Sequence, residues 1–169
     1  MKKKRCNKFT PFSFNQKSKN PNQMKITPHF TLSEFTHSTT ANKLNIDNTP
    51  TTQTIIDNIT ELTNTILEPF RTYINTPIRI TSGYRSQQLN KAVKGSTTSA
   101  HLTGYAVDII PVNYPMLKFQ SEFINWLQST NTPFDQCILE SLKPNGEATW
   151  IHIALKSNTG RQRRQIFTQ

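Results

Sequence analysis

The sequence has few cysteines and no long apolar run, and these two shortages exclude several classes of protein. Cys6 lies in a polar basic stretch and Cys137 in an apolar one, so we predict neither a structural disulfide nor a cysteine-based zinc site. No run of about 18 apolar residues is present, which excludes a membrane-spanning helix. No apolar segment follows the basic start MKKKRCNKFTPFSFNQ, so a cleaved secretory signal is not predicted.

Acidic residues are absent from both ends of the chain. The formal net charge is +10, yet the middle of the chain is close to neutral, because residues 1–25 and 156–169 contain basic residues and no acidic ones. Such ends are either solvated segments or attachments to nucleic acid, anionic lipid or anionic wall polymer. We therefore predict a disordered basic tail at 1–25, one folded domain at 26–155 and a basic C-terminal tail at 156–169.

Hydrophobic periodicity predicts a mixture of helices and short strands. The predicted helices are 32–37, 51–73, 86–93 and 114–129, with Pro69 kinking the end of the second. The predicted strands are 77–81, 105–110, 135–140 and 149–155, of which the last two form a hairpin. This order predicts an α+β fold in which helices pack on a mainly antiparallel sheet.

The stretch SAHLTGYAVD (99–108) places the carboxylate of Asp108 inside an apolar strand. An unpaired buried charge is very costly, so Asp108 requires a basic side chain, a set of backbone amides or a metal ion as its partner. Period-two alternation lets three strands each offer one ionisable group, Asp108, Glu140 and His152, to a common sheet face. His101 precedes the strand of Asp108.

Two histidines and one carboxylate form a common hydrolytic zinc set, which leaves a fourth position open for water. A second carboxylate nearby then serves as general base. Histidines on strands are, however, more often hydrogen-bonded parts of the structure than metal ligands. Spacing alone therefore leaves both interpretations open.

Three segments together resemble the M15 metallopeptidases, the zinc D-Ala-D-Ala carboxypeptidases and related peptidoglycan peptidases of bacteria and phages. These segments are TSGYRSQQLNKAV (81–93), STTSAHLTGYAVDI (96–109) and WIHIAL (150–155). The resemblance covers about 26–155. It implies the D-Ala-D-Ala peptidase/Hedgehog-type zinc fold.

Two further segments resemble the phage-type subgroup of that family. They are FTLSEFTHSTTANKLNIDN (30–48) and ILEPFR (66–71), and they occur in the order typical of the subgroup. Ala100 stands where the subgroup often has glutamine. This difference affects a secondary contact and not the metal ligands.

The resemblance implies a role for each matching residue. His101, Asp108 and His152 correspond to the ligands of a single zinc ion. Arg85 corresponds to the arginine that binds the substrate carbonyl or carboxylate and steadies the oxyanion, and Ser99 to a hydroxyl that supports the site or contacts substrate. Trp150 shares the strand face of His152 and is therefore expected to line the cleft.

The general base has two candidates. Many M15 relatives place an acid three residues before the last histidine, but that position is Thr149 here. The subgroup instead tends to end the preceding strand with a glutamate, which makes Glu140 in DQCILE the first candidate and Glu147 the second. If neither residue acts as the base, the chain is a zinc fold without activity.

The function implied is zinc-dependent hydrolysis of peptide bonds in peptidoglycan stem peptides by a monomeric carboxypeptidase or endopeptidase. A phage origin would make it a wall-degrading enzyme that is carried in a virion or reaches the wall at lysis. One alternative is an inactive zinc-fold binding module. Another is a basic virion or nucleic-acid-associated protein that binds through its tails.

Overall fold

A five-stranded sheet forms the centre of the protein in a computed structural model that describes residues 24–169. The strands are β1 (Ile78–Ser82), β2 (Ala106–Pro111), β3 (Gln136–Glu140), β4 (Trp150–Ala154) and β5 (Gln165–Thr168). Their order is β1-β2-β4-β3-β5, and every neighbouring pair is antiparallel except β3 and β5. Cys6 and nearly all of the predicted N-terminal tail lie outside the described residues.

Six α-helices accompany the sheet in this part of the chain. They are α1 (Leu32–Thr36), α2 (Thr39–Leu44), α3 (Gln53–Leu62), α4 (Glu68–Ile74), α5 (Gln87–Ala92) and α6 (Met116–Ser129). The predicted α+β class is confirmed. No helix within residues 24–169 has the length and apolar character needed to cross a membrane.

The helix predicted at 51–73 is divided by a π-helical turn, Thr63–Leu67, which joins α3 to α4. Within it, the hydroxyl of Thr63 donates a hydrogen bond to the carbonyl oxygen of Ile59 at 2.7 Å, which satisfies a fully buried polar group. The turn directs Phe70 of α4 into an aromatic cluster. The ring centroid of Phe70 lies 4.6 Å from that of Phe123 and 5.3 Å from that of Trp126.

The two faces of the sheet differ in chemistry. One face contributes apolar side chains to the core beneath the helices: Val107, Ile109, Cys137, Leu139, Ile151 and Ile153. On the other face, strand register aligns Ser82 with Asp108, and Asp108 with His152. The predicted alternation therefore separates the core from a polar row that crosses β1, β2 and β4.

Residues 156–169, the predicted basic C-terminal tail, contain β5 and make specific contacts. The guanidinium of Arg163 donates to both carboxylate oxygens of Asp135, at 2.8 and 2.6 Å. The guanidinium of Arg164 donates to the carbonyl oxygens of Thr132 and Leu127, at 2.7 and 3.2 Å. The segment thereby contacts both the start of β3 and the end of α6.

Candidate metal centre

His101 is held in the site by a 3₁₀ turn, Ala100–Thr103, that precedes β2. The turn ends at Gly104, whose φ of +80° and whose closeness to the carbonyl oxygen of Ile55 (2.8 Å from an added Cβ) both favour glycine. His101 is 2% exposed. Its Nδ1 donates to the carbonyl oxygen of Gly83 at 2.6 Å, which leaves the Nε2 lone pair facing the site.

Asp108 and His152 are direct partners across the antiparallel pair of β2 and β4. Asp108 Oδ1 lies 2.9 Å from His152 Nδ1, and His101 Nε2 lies 3.2 Å from that nitrogen and 3.3 Å from that oxygen. Ligand atoms on a tetrahedron with zinc bonds of about 2.0–2.1 Å are about 3.3 Å apart. The three atoms therefore already have the mutual spacing of a zinc ligand set.

The electrostatics of these side chains suit a cation. Burial lowers the pKa of His101, which favours the neutral ring that can act as a metal ligand. Burial alone would raise the pKa of Asp108, but its hydrogen bonds and favourable electrostatic interactions with the two imidazoles outweigh it and hold that pKa well below its usual range. A buried ionised carboxylate between two imidazole nitrogens is a typical metal-binding environment.

Arg85 is the second partner of the buried carboxylate. Its Nη2 donates to Asp108 Oδ2 at 3.0 Å, while its Nε and Nη2 both donate to the hydroxyl oxygen of Ser82. Asp108 thus presents Oδ1 to the histidines and Oδ2 to the arginine. Of the partners that the sequence left open, a basic side chain and a metal-ligand set are therefore both present, one at each oxygen.

The loop that carries Arg85 is fixed by Asn48, which the sequence analysis did not identify. Asn48 Nδ2 donates to the carbonyl oxygens of Thr36 and Tyr84, each at 2.9 Å, and Oδ1 accepts from the backbone N–H of Ser86 at 2.7 Å. Asn48 is buried, so these bonds satisfy its amide and tie the first helices to the arginine loop. Its three partners lie 12 to 38 residues away in the sequence, so no local pattern indicates this role.

His101, Asp108 and His152 together are called the ligand cluster below. Glu140 lies beside this cluster, on the same sheet face as His152. It pairs with Trp150 in the register of β3 and β4, two pairs beyond Ile138 and His152 and therefore next to them on the same face. Burial raises the pKa of Glu140. The charges of His152 and Arg85 act to lower this pKa and the charge of Asp108 acts to raise it, but burial is the largest effect. No described residue donates a hydrogen bond to its carboxylate, which leaves Glu140 available to bind water or substrate.

Glu147, the second candidate for the base, has a different environment. It lies in the loop between β3 and β4, where the ammonium group of Lys143 pairs with its carboxylate. Its backbone N–H also donates to the side-chain oxygen of Asn145 at 3.1 Å. Glu140 thus shares a sheet face with Asp108 and His152, whereas the carboxylate of Glu147 is paired with Lys143 in the loop.

A groove of about 380 Å³ adjoins His152, and Ser99 is among the residues that line it. The hydroxyl of Ser99 accepts a hydrogen bond from the backbone N–H of His101 at 3.3 Å. Trp150 does not line this groove; it lies in the row of Glu140, on the other side of His152. The two predicted substrate contacts thus flank the ligand cluster from opposite sides.

Comparison with protein families gives one result that bears on this site. The family model Peptidase M15 matches residues 28–143, more than half of the chain. The matched region contains Arg85, His101, Asp108 and Glu140 and ends before His152, which the register of β4 brings to the cluster. No curated protein matches the chain.

Proposed function

The chain belongs to the M15 peptidase family, a family of metallopeptidases, and we propose that it is a zinc peptidase that hydrolyses peptide bonds in peptidoglycan stem peptides. The observation that carries this proposal is the convergence of three ligand atoms, one each from His101, Asp108 and His152, at mutual distances of 2.9–3.3 Å. These three residues would hold one zinc ion. When bound, zinc supplies a Lewis acid that polarises the scissile carbonyl and lowers the pKa of water.

Glu140 serves as general base and then as general acid. Its carboxylate takes a proton from the attacking water molecule and passes it to the nitrogen of the departing amine. Two features support this role: the position of Glu140 two cross-strand pairs beyond His152, on the same sheet face, and the absence of a hydrogen-bond donor to its carboxylate among residues 24–169. Burial, which raises its pKa, also favours the return of the proton to the leaving group.

Arg85 stabilises negative charge on the substrate. Ser82 and Asp108 hold its Nε and Nη2, whereas no described residue accepts a hydrogen bond from its Nη1. The remaining N–H groups can donate to the carbonyl oxygen as that oxygen gains charge, or to a substrate carboxylate. Because the guanidinium is already oriented, this stabilisation needs little rearrangement during the reaction.

The substrate class rests on the resemblance to the phage-type M15 peptidases together with the polar character of the site. Ser99 on one side of His152 and Trp150 on the other are the proposed contacts to the peptide. The basic residues of 1–25 would hold the enzyme on anionic wall polymer. We propose that the protein acts as a monomer at the cell wall, as a wall-degrading enzyme of phage type.

Digestion of purified peptidoglycan tests this proposal. The zinc-loaded protein and His152→Ala are each incubated with sacculi and with isolated muropeptides, and the products are identified by mass spectrometry. We expect the unsubstituted protein to release D-alanine or to split stem peptides or cross-links, and the mass differences identify the scissile bond. Zinc bound at one equivalent without any new product would contradict the proposal and favour an inactive binding module.

A further inference from the structure

The groove beside His152 is lined by two loops that come from distant parts of the chain. One loop, residues 96–100, leads into the 3₁₀ turn of His101. The other, residues 157–163, follows β4 and leads into β5. Gln136 of β3 and His152 of β4 also line the groove, so that the ligand cluster and the C-terminal segment share one surface.

Both loops are polar and internally hydrogen-bonded. The hydroxyl oxygens of Ser96 and Thr98 lie 3.0 Å apart, as do those of Ser157 and Thr159. The second loop is closed at its base, because the Ser157 N–H donates to the carbonyl oxygen of Arg161 at 2.8 Å and the Arg161 N–H donates to the Ser157 hydroxyl at 3.0 Å. The backbone of Arg161 is therefore fixed at the groove.

Arg161 differs from the other basic residues of the C-terminal segment. Lys156 pairs with Glu61, Arg163 pairs with Asp135, and Arg164 donates to two backbone carbonyl oxygens. The exposed guanidinium of Arg161 has no hydrogen-bond or ion-pair partner among residues 24–169. Residues 1–23 contain no aspartate or glutamate that could pair with it.

The net charge of the groove follows from these pairings. The groove has one acidic residue, Asp135, whose two oxygens are both bonded to the guanidinium of Arg163. These two charges compensate each other, and the charge of Arg161 remains. The groove is thus a hydroxyl-rich surface with one uncompensated guanidinium next to the ligand cluster.

We propose that Arg161 is a specificity-determining residue that binds a carboxylate of the peptide substrate in this groove. The inference rests on the proposed peptidase function and adds a recognition site to it. A guanidinium forms a planar, bidentate contact with a carboxylate, and the neighbouring hydroxyls of Ser99 and Thr159 can bond the peptide backbone. Stem peptides carry free carboxylates on isoglutamate and on the terminal D-alanine. Either carboxylate could form this contact with Arg161.

Arg161 and Arg85 would hold different groups of the substrate. Arg85 approaches Asp108 from the side of β1, through Ser82, whereas Arg161 lies in the loop that precedes β5 at the other edge of the sheet. The peptide would thus meet one guanidinium on each side of the metal ligands. This arrangement would fix the direction in which the substrate peptide crosses the site.

Binding of matched synthetic peptides tests the role of Arg161 separately from catalysis. The probes are a stem pentapeptide with free carboxylates, forms amidated at isoglutamate or at the C-terminus, and the doubly amidated form. Calorimetry is performed on the zinc-loaded full chain carrying Glu140→Gln, with and without Arg161→Gln. We expect Arg161→Gln to weaken binding of the free-acid peptide about 10- to 100-fold, and Arg161→Lys to weaken it less.

The amidated peptides and a control variant decide between outcomes. Amidation of the carboxylate that Arg161 binds should abolish the effect of Arg161→Gln, and Arg71→Gln on α4, which removes the same charge away from the groove, should leave binding unchanged. Unchanged binding in Arg161→Gln, or an equal loss with the doubly amidated peptide, would overturn this inference while muropeptide cleavage still supports the peptidase. If no pentapeptide binds and no muropeptide is cleaved, both proposals fail.

Discussion

The carbonyl oxygen of Gly83 accepts a hydrogen bond from Nδ1 of His101 at 2.6 Å, so the backbone of one loop determines which imidazole nitrogen faces the ligand cluster. Gly83 also lies against the backbone of Phe35 at the end of α1. A Cβ at this position would come within 2.4 Å of the Phe35 carbonyl oxygen. The packing of an N-terminal helix and the orientation of His101, a proposed metal ligand, therefore depend on the same residue.

Gly83→Ala should weaken zinc binding as well as stability. The added methyl group forces the loop away from α1 and lengthens the bond to His101, which orients the ligand. We expect a loss of about 10- to 100-fold in zinc affinity and of about 1–3 kcal/mol in the free energy of unfolding. Competition with a chromogenic chelator and urea denaturation measure the two effects.

Gly146→Ala provides the matched control for this substitution. Gly146 has a φ of +80° but no atom within 4 Å of an added Cβ. We expect a small loss of stability from backbone strain and unchanged zinc affinity. Equal zinc affinities in Gly83→Ala and the unsubstituted protein would show that the carbonyl of Gly83 does not orient His101.

The ligand assignment predicts that the protein binds one equivalent of zinc and is stabilised by it. Asp108→Asn and His152→Ala should each lose bound zinc, because either change removes one of three converging ligand atoms. Elemental analysis measures the content, and thermal unfolding with and without a chelator measures the stabilisation. His37→Ala, at an exposed histidine next to α1, is the control; zinc loss in this variant would mean that the ion binds elsewhere.

Glu140→Gln should reduce turnover about 10²- to 10⁴-fold while zinc content stays at one equivalent. The amide preserves size but cannot take a proton from water. Glu147→Gln, which only breaks a pair with Lys143 in the β3–β4 loop, should retain nearly full activity. Peptide cleavage followed by chromatography distinguishes the two, and the reverse ranking would identify Glu147 as the base.

The Asp135–Arg163 pair should make the stability of the protein depend on pH. Burial alone would raise the pKa of Asp135, but the hydrogen bonds and charge of Arg163 outweigh it, so the pKa is lowered. A lowered folded-state pKa contributes stability above the unfolded value, about 3.9, which is lost as pH falls below it. Asp135→Asn should therefore lower the free energy of unfolding by about 1–3 kcal/mol at neutral pH.

Urea denaturation of Asp135→Asn and of the unsubstituted protein between pH 3 and pH 7 measures this effect as a difference. The difference should be constant above about pH 5 and should shrink at lower pH, since both proteins then lack the charged pair. Subtraction removes the contribution of all other carboxylates. A difference that does not change with pH would show that the charge of Asp135 contributes nothing to stability.

The position of Asp108 and His152 on one sheet face was predictable because strand alternation is a local property. Val107 and Ile109 point to the core and leave Asp108 on the opposite face, and the same reasoning applies to His152 between Ile151 and Ile153. The alternation of side chains between the two faces of each strand could be read from the sequence. The direct pairing of Asp108 and His152 in register could not, because it depends on which strands become neighbours.

The C-terminal segment shows why other features could not be predicted. Strand β5 is only four residues long and mostly exposed, and its pairing is parallel to a strand about 30 residues earlier, so no local pattern reveals it. Arg163 and Arg164 look like a solvated charge run because their partners, Asp135 and two carbonyl oxygens near the end of α6, are remote in sequence. The role of Asn48 could not be predicted for the same reason, because its partners Tyr84 and Ser86 are also remote in sequence.

The π-helical turn Thr63–Leu67 lets the helix hold one extra residue between α3 and α4 without turning the side chains of α4 out of the core. Each residue of an α-helix rotates the chain by about 100°, and the wider turn accommodates one residue more than a regular helix would. Deletion of a single residue here would rewind the segment into a continuous helix in which Phe70 still faces Phe123 and Trp126. The aromatic cluster should therefore tolerate a one-residue deletion in this turn better than the same deletion within α3, where no wide turn absorbs the rotation.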